Sequence, residues 1–256
     1  MNWARQIHIK SAAELEIMRE AGRVNAEVLA TVKDLLKPGV STADLNAAAE
    51  EALKKHNSVS PFKGYGYPPF PASITTSVNQ QLVHGIPSKK RILKEGDIVS
   101  IDCGAILGGF VGDSAFTAGV GAISPEAQSL LNVTEEALRA GIAQMRVGNR
   151  TGDVSAAIQN YVESRGYYVT REYTGHGVGR QMHEGPQLPN YGKAGSGMPL
   201  KPGMTIAIEP MVLIGTAETR VLSDQWTVVS ADGSLTAHFE HTVAVTEGEP
   251  LILTAL

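Results

Sequence analysis

The sequence predicts an α+β fold in which two pseudo-symmetric halves form a curved antiparallel sheet with helices on one face. Three observations favour this class: two segments recur at nearly one offset, each half begins with a pair of helix-like stretches, and strand-like runs with glycine turns follow each pair. Helix pairs followed by antiparallel strands are typical of α+β proteins. The 256 residues are expected to form a single domain with halves of about 1–122 and 123–256.

The internal repeat is visible in two pairs of segments. Residues 36–57 resemble residues 145–166, since each segment has a glycine, a threonine three residues later, an aspartate two residues after that and then an alanine-rich helix. Residues 93–102 (LKEGDIVSID) resemble residues 200–209 (LKPGMTIAIE). The offsets, from 36 to 145 and from 93 to 200, are 109 and 107 residues. Two segments at nearly one offset indicate a duplicated half, and chance similarity between glycine turns is the alternative.

Two helices are predicted at the start of each half. In the first half, Ser11 and Glu14 have the spacing of a capping box, and Pro38-Gly39 ends the helical stretch. In the second half, Ser124 is followed by Pro125 at the first helical position. The predicted helices begin at Ser11, near Thr42, at Ser124 and at Thr151, and the last two end near Arg146 and at Arg165.

Short strand-like runs follow each helix pair. They are rich in β-branched and alternating apolar residues and are separated by glycine turns, as expected for antiparallel strands. The predicted strands are residues 98–107, 110–117, 205–214, 219–229 and 235–246.

Composition excludes several classes of protein. The net charge of −4 gives no general attraction to nucleic acid or to anionic membranes, so direct nucleic-acid recognition is not expected. No run of about 18 apolar residues occurs, so no membrane span is predicted. Cys103 is the only cysteine, which excludes an internal disulfide, and the N-terminal stretch has no apolar signal core. These features fit a cytoplasmic protein.

The glycine-rich stretch 174–187 (TGHGVGRQMHEGPQ) resembles a phosphate-binding loop at first sight. Its glycines are spaced two by two rather than in the G-x-G-x-x-G pattern, and prolines follow where a helix would have to begin. A dinucleotide site is therefore rejected. The two histidines of this predicted loop, His176 and His183, need another role.

Four acidic residues fall on predicted strands. Asp102 and Glu209 end the two copies of the repeated segment, each after a β-branched run that should be buried, and a buried carboxylate is costly unless it is paired or binds metal. A turn at Gly108-Gly109 places Asp113 roughly opposite Asp102, where two like charges repel unless a cation lies between them. Glu240 lies on a further strand, in AHFEHT.

These four carboxylates and a neutral imidazole match two divalent cations in charge. Oxygen-rich ligands with one nitrogen favour manganese, iron(II), cobalt or zinc, and a single cysteine excludes a thiolate site. For any one of the acids, an ordinary solvated strand face is the alternative. The equivalent positions of Asp102 and Glu209 in the repeat argue against it.

Five motifs carry a family resemblance. SIDCGA, GDSAFT, GHGVGR, IEPMV and EHT, in this order and at these spacings, resemble the type I methionine aminopeptidases over essentially the whole chain. The resemblance implies the pita-bread (creatinase/aminopeptidase) fold with a two-metal site between the halves. By position in the motifs, Asp113 and Glu240 bridge the two ions. The implied metal ligands are Asp102, Asp113, His176, Glu209 and Glu240.

The resemblance also implies an activity. The chain would be a metalloaminopeptidase that removes the N-terminal methionine from nascent proteins and peptides with a small second residue, by attack of a metal-activated hydroxide on the first peptide bond. The implied catalytic residues are His183 at the scissile amide, His84 (VHGIP) near the leaving amide and the first substrate residue, and Glu209 as proton carrier. For His84 alone, a hydrogen-bonded loop histidine is the alternative.

An apolar pocket for the substrate methionine is implied as well, because such a pocket suits an unbranched thioether. Ordinary core packing is the alternative for its residues. Three positions depart from the family pattern: Met182 stands where phenylalanine is common, Thr75 where cysteine is common, and His238 where glutamine usually precedes EHT. The implied pocket residues are Tyr67, Phe70, Thr75, Met182 and Trp226.

Two other interpretations remain open. Aminopeptidase P, prolidase and creatinase relatives share this set of metal ligands, but they usually carry an additional N-terminal domain for which the chain has no room. A binding module of the same fold that has lost its chemistry would lack ligands, and here all five are present. The expected partners are the N-terminal peptides of nascent proteins, with the ribosome near its exit tunnel as a further partner. A monomer is expected.

Overall fold

The computed structural model describes residues 7–256, so the first six residues of the predicted domain and of the N-terminal stretch lie outside the described residues. The helices of the described chain are α1 (Ala12–Lys33), α2 (Thr42–Lys55), α3 (Pro125–Ile142) and α4 (Thr151–Glu163). The strands are β1 (Ile74–Val78), β2 (Gln81–Val83), β3 (Ile98–Leu107), β4 (Phe110–Gly119), β5 (Tyr168–Val169), β6 (Thr174–Gly177), β7 (Glu184–Pro189), β8 (Thr205–Ile208), β9 (Met211–Leu213), β10 (Thr219–Val221), β11 (Val228–Ser230), β12 (Thr236–His238), β13 (Glu240–Ala244) and β14 (Leu251–Ile252).

All four predicted helix starts are confirmed. The Glu14 N–H donates to the Ser11 hydroxyl over 3.3 Å and the Glu14 carboxylate accepts the Ser11 N–H over 2.9 Å, which is the reciprocal capping box. α3 ends at Ile142 rather than near Arg146, because the following N–H groups bond three residues back and tighten the chain into turns. α4 ends at Glu163, two residues before the predicted end, for the same reason.

Strands from both halves share one antiparallel sheet, in the order β1-β3-β4-β13-β8-β6-β7, with β14 paired to β13. The halves meet where β4 pairs with β13, with Ala115 opposite Glu240 and Ser114 opposite His241. Two three-stranded sheets, β10-β11-β2 and β12-β9-β5, lie beside the main one. The sheet therefore joins the two predicted halves through a single strand pair.

The four helices cover the sheet as two pairs. α1 and α2 share a core with β1 and β3, in which Cys103 is fully buried, and α3 and α4 share a larger core with β8 and β13. α1 rests directly on β4, because a Cβ atom on Gly112 would lie 2.6 Å from the backbone of Gly22. None of the helices among residues 7–256 has the length and apolar character needed to cross a lipid bilayer.

The two copies of the repeat make the same backbone hydrogen bonds. Thr42 N–H donates to Arg91 O and Thr151 N–H donates to Met198 O, both over 2.9 Å. In the same way, the Leu93 N–H donates to Val40 O and the Leu200 N–H to Asn149 O, again over 2.9 Å in both copies. The partners are related by the offsets of the sequence repeat, so each helix pair is attached to its sheet by the same contacts.

Several strand predictions need correction. The predicted strand 205–214 is divided into β8 and β9 by Glu209-Pro210, because proline has no N–H for the ladder. The runs 219–229 and 235–246 are also divided in two, and β4 extends to Gly119. The sequence prediction missed β1, β2, β5, β6, β7 and β14.

The predicted glycine-rich loop is in fact largely strand. His176 lies on β6, which pairs with both β7 and β8. A Cβ atom on Gly175 would lie 2.5 Å from the carbonyl oxygen of Ala207, so this glycine allows close approach of the neighbouring strand. The glycines on either side of His176 led to the prediction of a loop, because glycine is uncommon in strand interiors.

Candidate metal centre

The hairpin β3–β4 carries two of the predicted ligands. Asp113 pairs with Gly104 and Asp102 pairs with Ala115, because the turn contains only Gly108 and Gly109. The two acids, which were predicted to lie roughly opposite each other, are therefore diagonal neighbours on one face of the hairpin. Diagonal neighbours on adjacent strands are still within reach of each other.

The other predicted ligands converge on the same place from the second half. His176 Nε2 lies 3.7 Å from Asp113 Oδ2 and 3.6 Å from Glu209 Oε1. Asp113, His176 and Glu240 each offer a ligand atom within 4.8 Å of the others. Asp102 lines the same cavity as these four residues. The structure therefore brings all five predicted metal ligands together.

The tautomer of His176 is fixed by the backbone. Its Nδ1 lies 2.9 Å from the carbonyl oxygen of Gly177, and a carbonyl can only accept. Nδ1 therefore carries the proton, and Nε2 presents its lone pair to the acids. Such a hydrogen bond on the far ring nitrogen is the usual support of a metal-binding histidine.

Burial and mutual repulsion make the acids costly in the metal-free protein. Burial raises the pKa of Asp102 to about 7, with a further contribution from the charge of Glu209. Burial, and then the charges of Asp102 and Glu209, raise the pKa of Asp113 well above its usual range. Burial also raises the pKa values of Glu209 and Glu240 well above theirs. A bound cation would offset both the cost of burying these carboxylates and the repulsion between them.

Unsatisfied buried atoms support the same conclusion. Asp102 Oδ1, Asp113 Oδ1 and Glu240 Oε1 have no hydrogen-bond partner, although buried polar atoms are nearly always paired. Three unpaired carboxylate oxygens in one cluster, next to an imidazole lone pair, are a donor set suited to a divalent metal ion. The residues present therefore fit the metal centre that the sequence implies.

The histidines of the site are neutral near pH 7. Burial lowers the pKa of His176 to about 3 and those of His84 and His183 to about 4. His183 lies beside His176, with ring centroids 4.4 Å apart. The ring of His84 packs in T-shaped pairs with Tyr173 and Trp226, with ring centroids 5.9 and 6.0 Å apart. His84 has a left-handed φ of 60°, a strained conformation that is concentrated at functional sites.

A cavity of about 180 Å³ opens from the acids toward an apolar wall. In that wall Phe70 and Trp226 pack edge to face, with ring centroids 5.2 Å apart. The Trp226 indole N–H donates to the carbonyl oxygen of Pro68 over 2.9 Å, which fixes the ring. Beyond the metal-site residues, the lining comprises Phe62, Tyr65, Phe70, Thr75, Val83, His84, Tyr173, Thr174, Met182, His183, Met211 and Trp226.

One predicted pocket residue lies elsewhere. Tyr67 is 95% exposed and does not line the cavity, whereas Phe70, Thr75, Met182 and Trp226 do. Tyr65 takes the place expected of Tyr67, and its hydroxyl lies 2.6 Å from His183 Nδ1. The two tyrosines flank Gly66, whose left-handed φ of 72° turns the chain between them. The expectation for Tyr67 is therefore corrected.

The sequence did not identify His238 as part of the site. It is 2% exposed, and its Nε2 lies 3.5 Å from Glu209 Oε2 and 3.8 Å from Glu240 Oε2. The sequence showed it only as a departure from the family pattern. Its position two residues before Glu240 is the signal that could have found it, because alternate residues of an extended chain point to the same side.

Comparison with known proteins agrees with this geometry. Residues 16–247 match the sequence model of metallopeptidase family M24. A methionine aminopeptidase of Clostridium acetobutylicum is 53% identical over 248 residues, which are 97% of this chain and 98% of the relative. The crystal structure of a methionine aminopeptidase from Thermotoga maritima has a TM-score of 0.95 at 45% identity and covers 98% of this chain and 100% of that one.

A more distant structure has the same fold. The prolidase of Pyrococcus horikoshii has a TM-score of 0.77 at 22% identity, and the match covers 96% of this chain and 63% of the prolidase. At this identity the likeness shows the fold alone. The predicted pita-bread fold and the predicted family are both confirmed. Since the family match extends over most of the chain, the protein belongs to metallopeptidase family M24.

Proposed function

We propose that this chain is a methionine aminopeptidase, which removes the N-terminal methionine from nascent proteins and peptides whose second residue is small. One observation carries the proposal: four carboxylates and an imidazole from both halves meet beside an apolar cavity. The identity of about half of the residues to a methionine aminopeptidase supports the choice of substrate. The shared site supports one catalytic domain with halves of about 1–122 and 123–256.

The metal centre would be held by the predicted set of acids and His176. When bound there, divalent cations such as cobalt, manganese, iron(II) or zinc would lower the pKa of a water molecule and polarise the scissile carbonyl. Four carboxylates and one neutral imidazole balance the charge of two such ions. The proposed ligands are Asp102, Asp113, His176, Glu209 and Glu240.

The cavity selects the substrate side chain. Phe62, Phe70, Met182 and Trp226 form its apolar wall, which suits a flexible and polarisable thioether. Its volume of about 180 Å³ is smaller than the roughly 300–1,000 Å³ of sites that hold drug-sized ligands. A cavity of this size holds one side chain next to the acids, which places the first peptide bond at the reacting centre.

His183 is positioned to stabilise charge on the scissile group. Its pKa is lowered by burial, so the ring is neutral and has one N–H to donate. The Tyr65 hydroxyl lies 2.6 Å from Nδ1, and when this hydroxyl donates, the proton of the ring is on Nε2. We infer that Nε2–H donates to the oxyanion that develops on the first carbonyl, and that His84 binds near the leaving amide.

Glu209 is proposed as the proton carrier. Its side chain is 13% exposed, whereas that of Asp113 is 2% exposed, so Glu209 is the more accessible acid of the pair. In the metal-free protein, burial raises its pKa well above the usual value. A carboxyl group with these properties can accept a proton from water and donate it to the leaving amine.

The substrate also defines the cellular setting. Nascent chains are made in the cytoplasm, so we infer that the enzyme acts there, near the ribosomal exit tunnel, and as a monomer. The buried thiol of Cys103, with no second cysteine to pair with, suits this reducing compartment.

The test is metal-dependent peptide cleavage. Protein stripped with EDTA is reconstituted with each of the four metals and assayed on Met-Ala-Ser, with N-acetyl-Met-Ala-Ser and an X-Pro dipeptide as controls. Methionine release from Met-Ala-Ser alone, and only with metal, is expected. Cleavage of the X-Pro peptide without methionine release would indicate a prolidase-like enzyme instead. Failure to bind or respond to any metal would indicate a binding module.

A further inference from the structure

We propose that His238 supplies a second imidazole nitrogen to the metal centre, on the opposite side of Glu209 from His176. This inference depends on the proposed function for the presence of divalent ions at the site. The ligand set implied by the family contains a single histidine, so the assignment adds a residue to it. Glutamine is usual at this position in the family, and its amide can offer a metal ion only a carbonyl oxygen, not a nitrogen.

The carboxylate of Glu209 lies between two imidazoles. Its Oε1 is 3.6 Å from His176 Nε2, and its Oε2 is 3.5 Å from His238 Nε2. Ligand atoms that share a metal at bond lengths of about 2.0–2.2 Å lie roughly 3–4 Å apart. The two Nε2 atoms therefore lie at nearly equal distances from the Glu209 carboxylate, and both distances suit ligands of a common site.

The most compact group of ligands does not include His238. That group is formed by Asp113, His176 and Glu240, whose ligand atoms lie within 4.8 Å of one another. His238 Nε2 lies 3.8 Å from Glu240 Oε2. These contacts group His238 with Glu209 and Glu240, and the three side chains would hold an ion together.

The nitrogen itself has no partner. His238 Nε2 is buried and makes no hydrogen bond, as is also true of the unpaired oxygens of Asp102, Asp113 and Glu240. A hydrogen bond to Glu209 would be the alternative, but 3.5 Å exceeds the usual N–H···O range of about 2.7–3.2 Å. Bound cations would satisfy all four atoms.

The backbone of His238 is fixed by β4. Its N–H donates to the Thr117 hydroxyl over 2.9 Å, and that hydroxyl donates to the His238 carbonyl over 2.7 Å. The hydroxyl proton of Thr117 is thus used, so Ser100, 2.8 Å away, must donate to it. A ligand whose backbone is held in this way is preorganised for metal binding.

The experiment compares His238→Gln with the matched control His241→Gln. His241 lies on β13, and its Nδ1 contacts the Thr254 hydroxyl over 2.9 Å rather than the acids. Each EDTA-stripped protein is titrated with Mn²⁺ by calorimetry, and pulsed EPR of the loaded protein counts the coordinated imidazole nitrogens. We expect two nitrogens in the wild type and the control but one in His238→Gln. We also expect the affinity for one ion to fall by at least about tenfold.

The outcomes separate this inference from the proposed function. A glutamine variant with the nitrogen count and Mn²⁺ affinity of the wild type would overturn the assignment of His238, even while methionine release stands. Wild-type protein that binds no metal would overturn both. His238→Ala serves as a second variant, with its fold checked by circular dichroism; if it does not fold, the glutamine variant decides alone.

Discussion

The two copies of the repeated strand segment differ in the path of the chain beyond the acid. In the first half, β3 continues for five residues past Asp102 and turns into β4. In the second half, β8 ends at Ile208, and the residue after Glu209 is Pro210, which cannot donate to the ladder. The Asn190 side chain donates to Glu209 O over 2.9 Å in place of a strand partner, and β9 then joins a different sheet.

This difference shows how a duplicated scaffold gives an asymmetric site. The first half holds its acids, Asp102 and Asp113, inside a continuous hairpin, where the ladder fixes them. The second half places Glu209 at the end of a strand, with a more accessible side chain. Fixed ligands from one half and an accessible acid from the other suit a centre that must both hold cations and move a proton. Five experiments would break or sharpen this comparison.

The largest effect is expected from Asp113→Asn, which removes a fixed acid of the first half. Loss of this carboxylate should lower kcat/KM by at least about 10³-fold, or about 4 kcal/mol, even at saturating metal. The metal-free variant should melt at a higher temperature than the wild type, because one member of a buried group of like charges is gone. Steady-state kinetics and thermal denaturation after EDTA treatment measure the two effects. Activity within tenfold of the wild type would contradict the fixed-ligand role.

The second prediction concerns a buried ion pair between the halves. Lys10 Nζ lies 2.6 Å from Glu184 Oε2, and both side chains are about 5% exposed or less. Glu184 Oε1 also accepts the N–H groups of Arg180 and Gln181 over 2.8 and 3.3 Å, so this pair anchors the segment that carries His183. Lys10→Met should cost about 3–5 kcal/mol, because it leaves a buried charge without a partner.

Thermal denaturation measures that loss as a drop of roughly 6–20 °C in Tm. The double variant Lys10→Met/Glu184→Gln is the control, and it should recover part of the stability because no buried charge is left unpaired. An unchanged Tm in the single variant would show that the halves do not depend on this pair.

Third in size is the effect of His183→Ala. Loss of one oxyanion donor should reduce kcat by roughly 10²-fold. Tyr65→Phe should have a smaller effect, because it removes only the hydroxyl 2.6 Å from His183 Nδ1 and leaves the ring in place. Metal content measured alongside should match the wild type in both variants. An unchanged kcat in His183→Ala would remove this residue from the mechanism.

The fourth prediction is the pH dependence of the metal-free protein. Burial raises the pKa of Asp102 to about 7. The folded protein therefore retains a proton that the unfolded chain releases near pH 4. The stability that this proton gives the folded state is lost as pH rises through 7. The lowered pKa values of His84 and His183, about 4 each, act in the opposite direction, but only below about pH 6.5.

Above pH 6.5, the acids are therefore the groups that make the stability of the folded protein depend on pH. The Tm of EDTA-treated protein should fall by several degrees between about pH 6.5 and 8.5, because each kcal/mol shifts the Tm of a protein of this size by about 2–4 °C. Saturating Mn²⁺ should abolish the fall, since the cation stabilises the ionised acids. A Tm that rises over this range without metal would contradict the raised pKa values.

The smallest effect is expected at the apolar wall. Trp226→Phe keeps the ring contact with Phe70 but removes the indole N–H that donates to Pro68 O, which should cost about 1 kcal/mol. KM for Met-Ala-Ser should rise by about three- to tenfold, with kcat nearly unchanged. Tyr67→Phe is the matched control and should have no effect, because Tyr67 is 95% exposed. Equal effects in both variants would argue against Trp226 as a wall of the substrate pocket.

Much of the fold was predictable from local rules in the sequence. The helix starts were predictable because Ser11 with Glu14, and Ser124 with Pro125, satisfy the free N–H groups of a first turn by short-range chemistry. The acids were predictable because a carboxylate such as Asp102 in a buried strand needs a compensating charge. These inferences require no knowledge of distant neighbours.

The remaining features depend on contacts between distant parts of the chain. β6 was missed because its glycines, which allow the neighbouring strand to pack closely, are more typical of loops. Tyr65 lines the cavity and Tyr67 does not, and the chain turns at Gly66 between them, a turn that is not visible in the sequence. His238 became evident only once β12 and β8 brought it to Glu209.

The position of Cys103 has a practical consequence. Side chains alternate along β3, so this thiol faces the core under α1 and α2 while Asp102 faces the cavity. Burial raises the pKa of the Cys103 thiol well above its ordinary value, which keeps it protonated and unreactive at neutral pH. A cysteine introduced at any exposed position would therefore be the sole thiol open to maleimide reagents, and a fluorophore or spin label can be attached without first altering the native sequence.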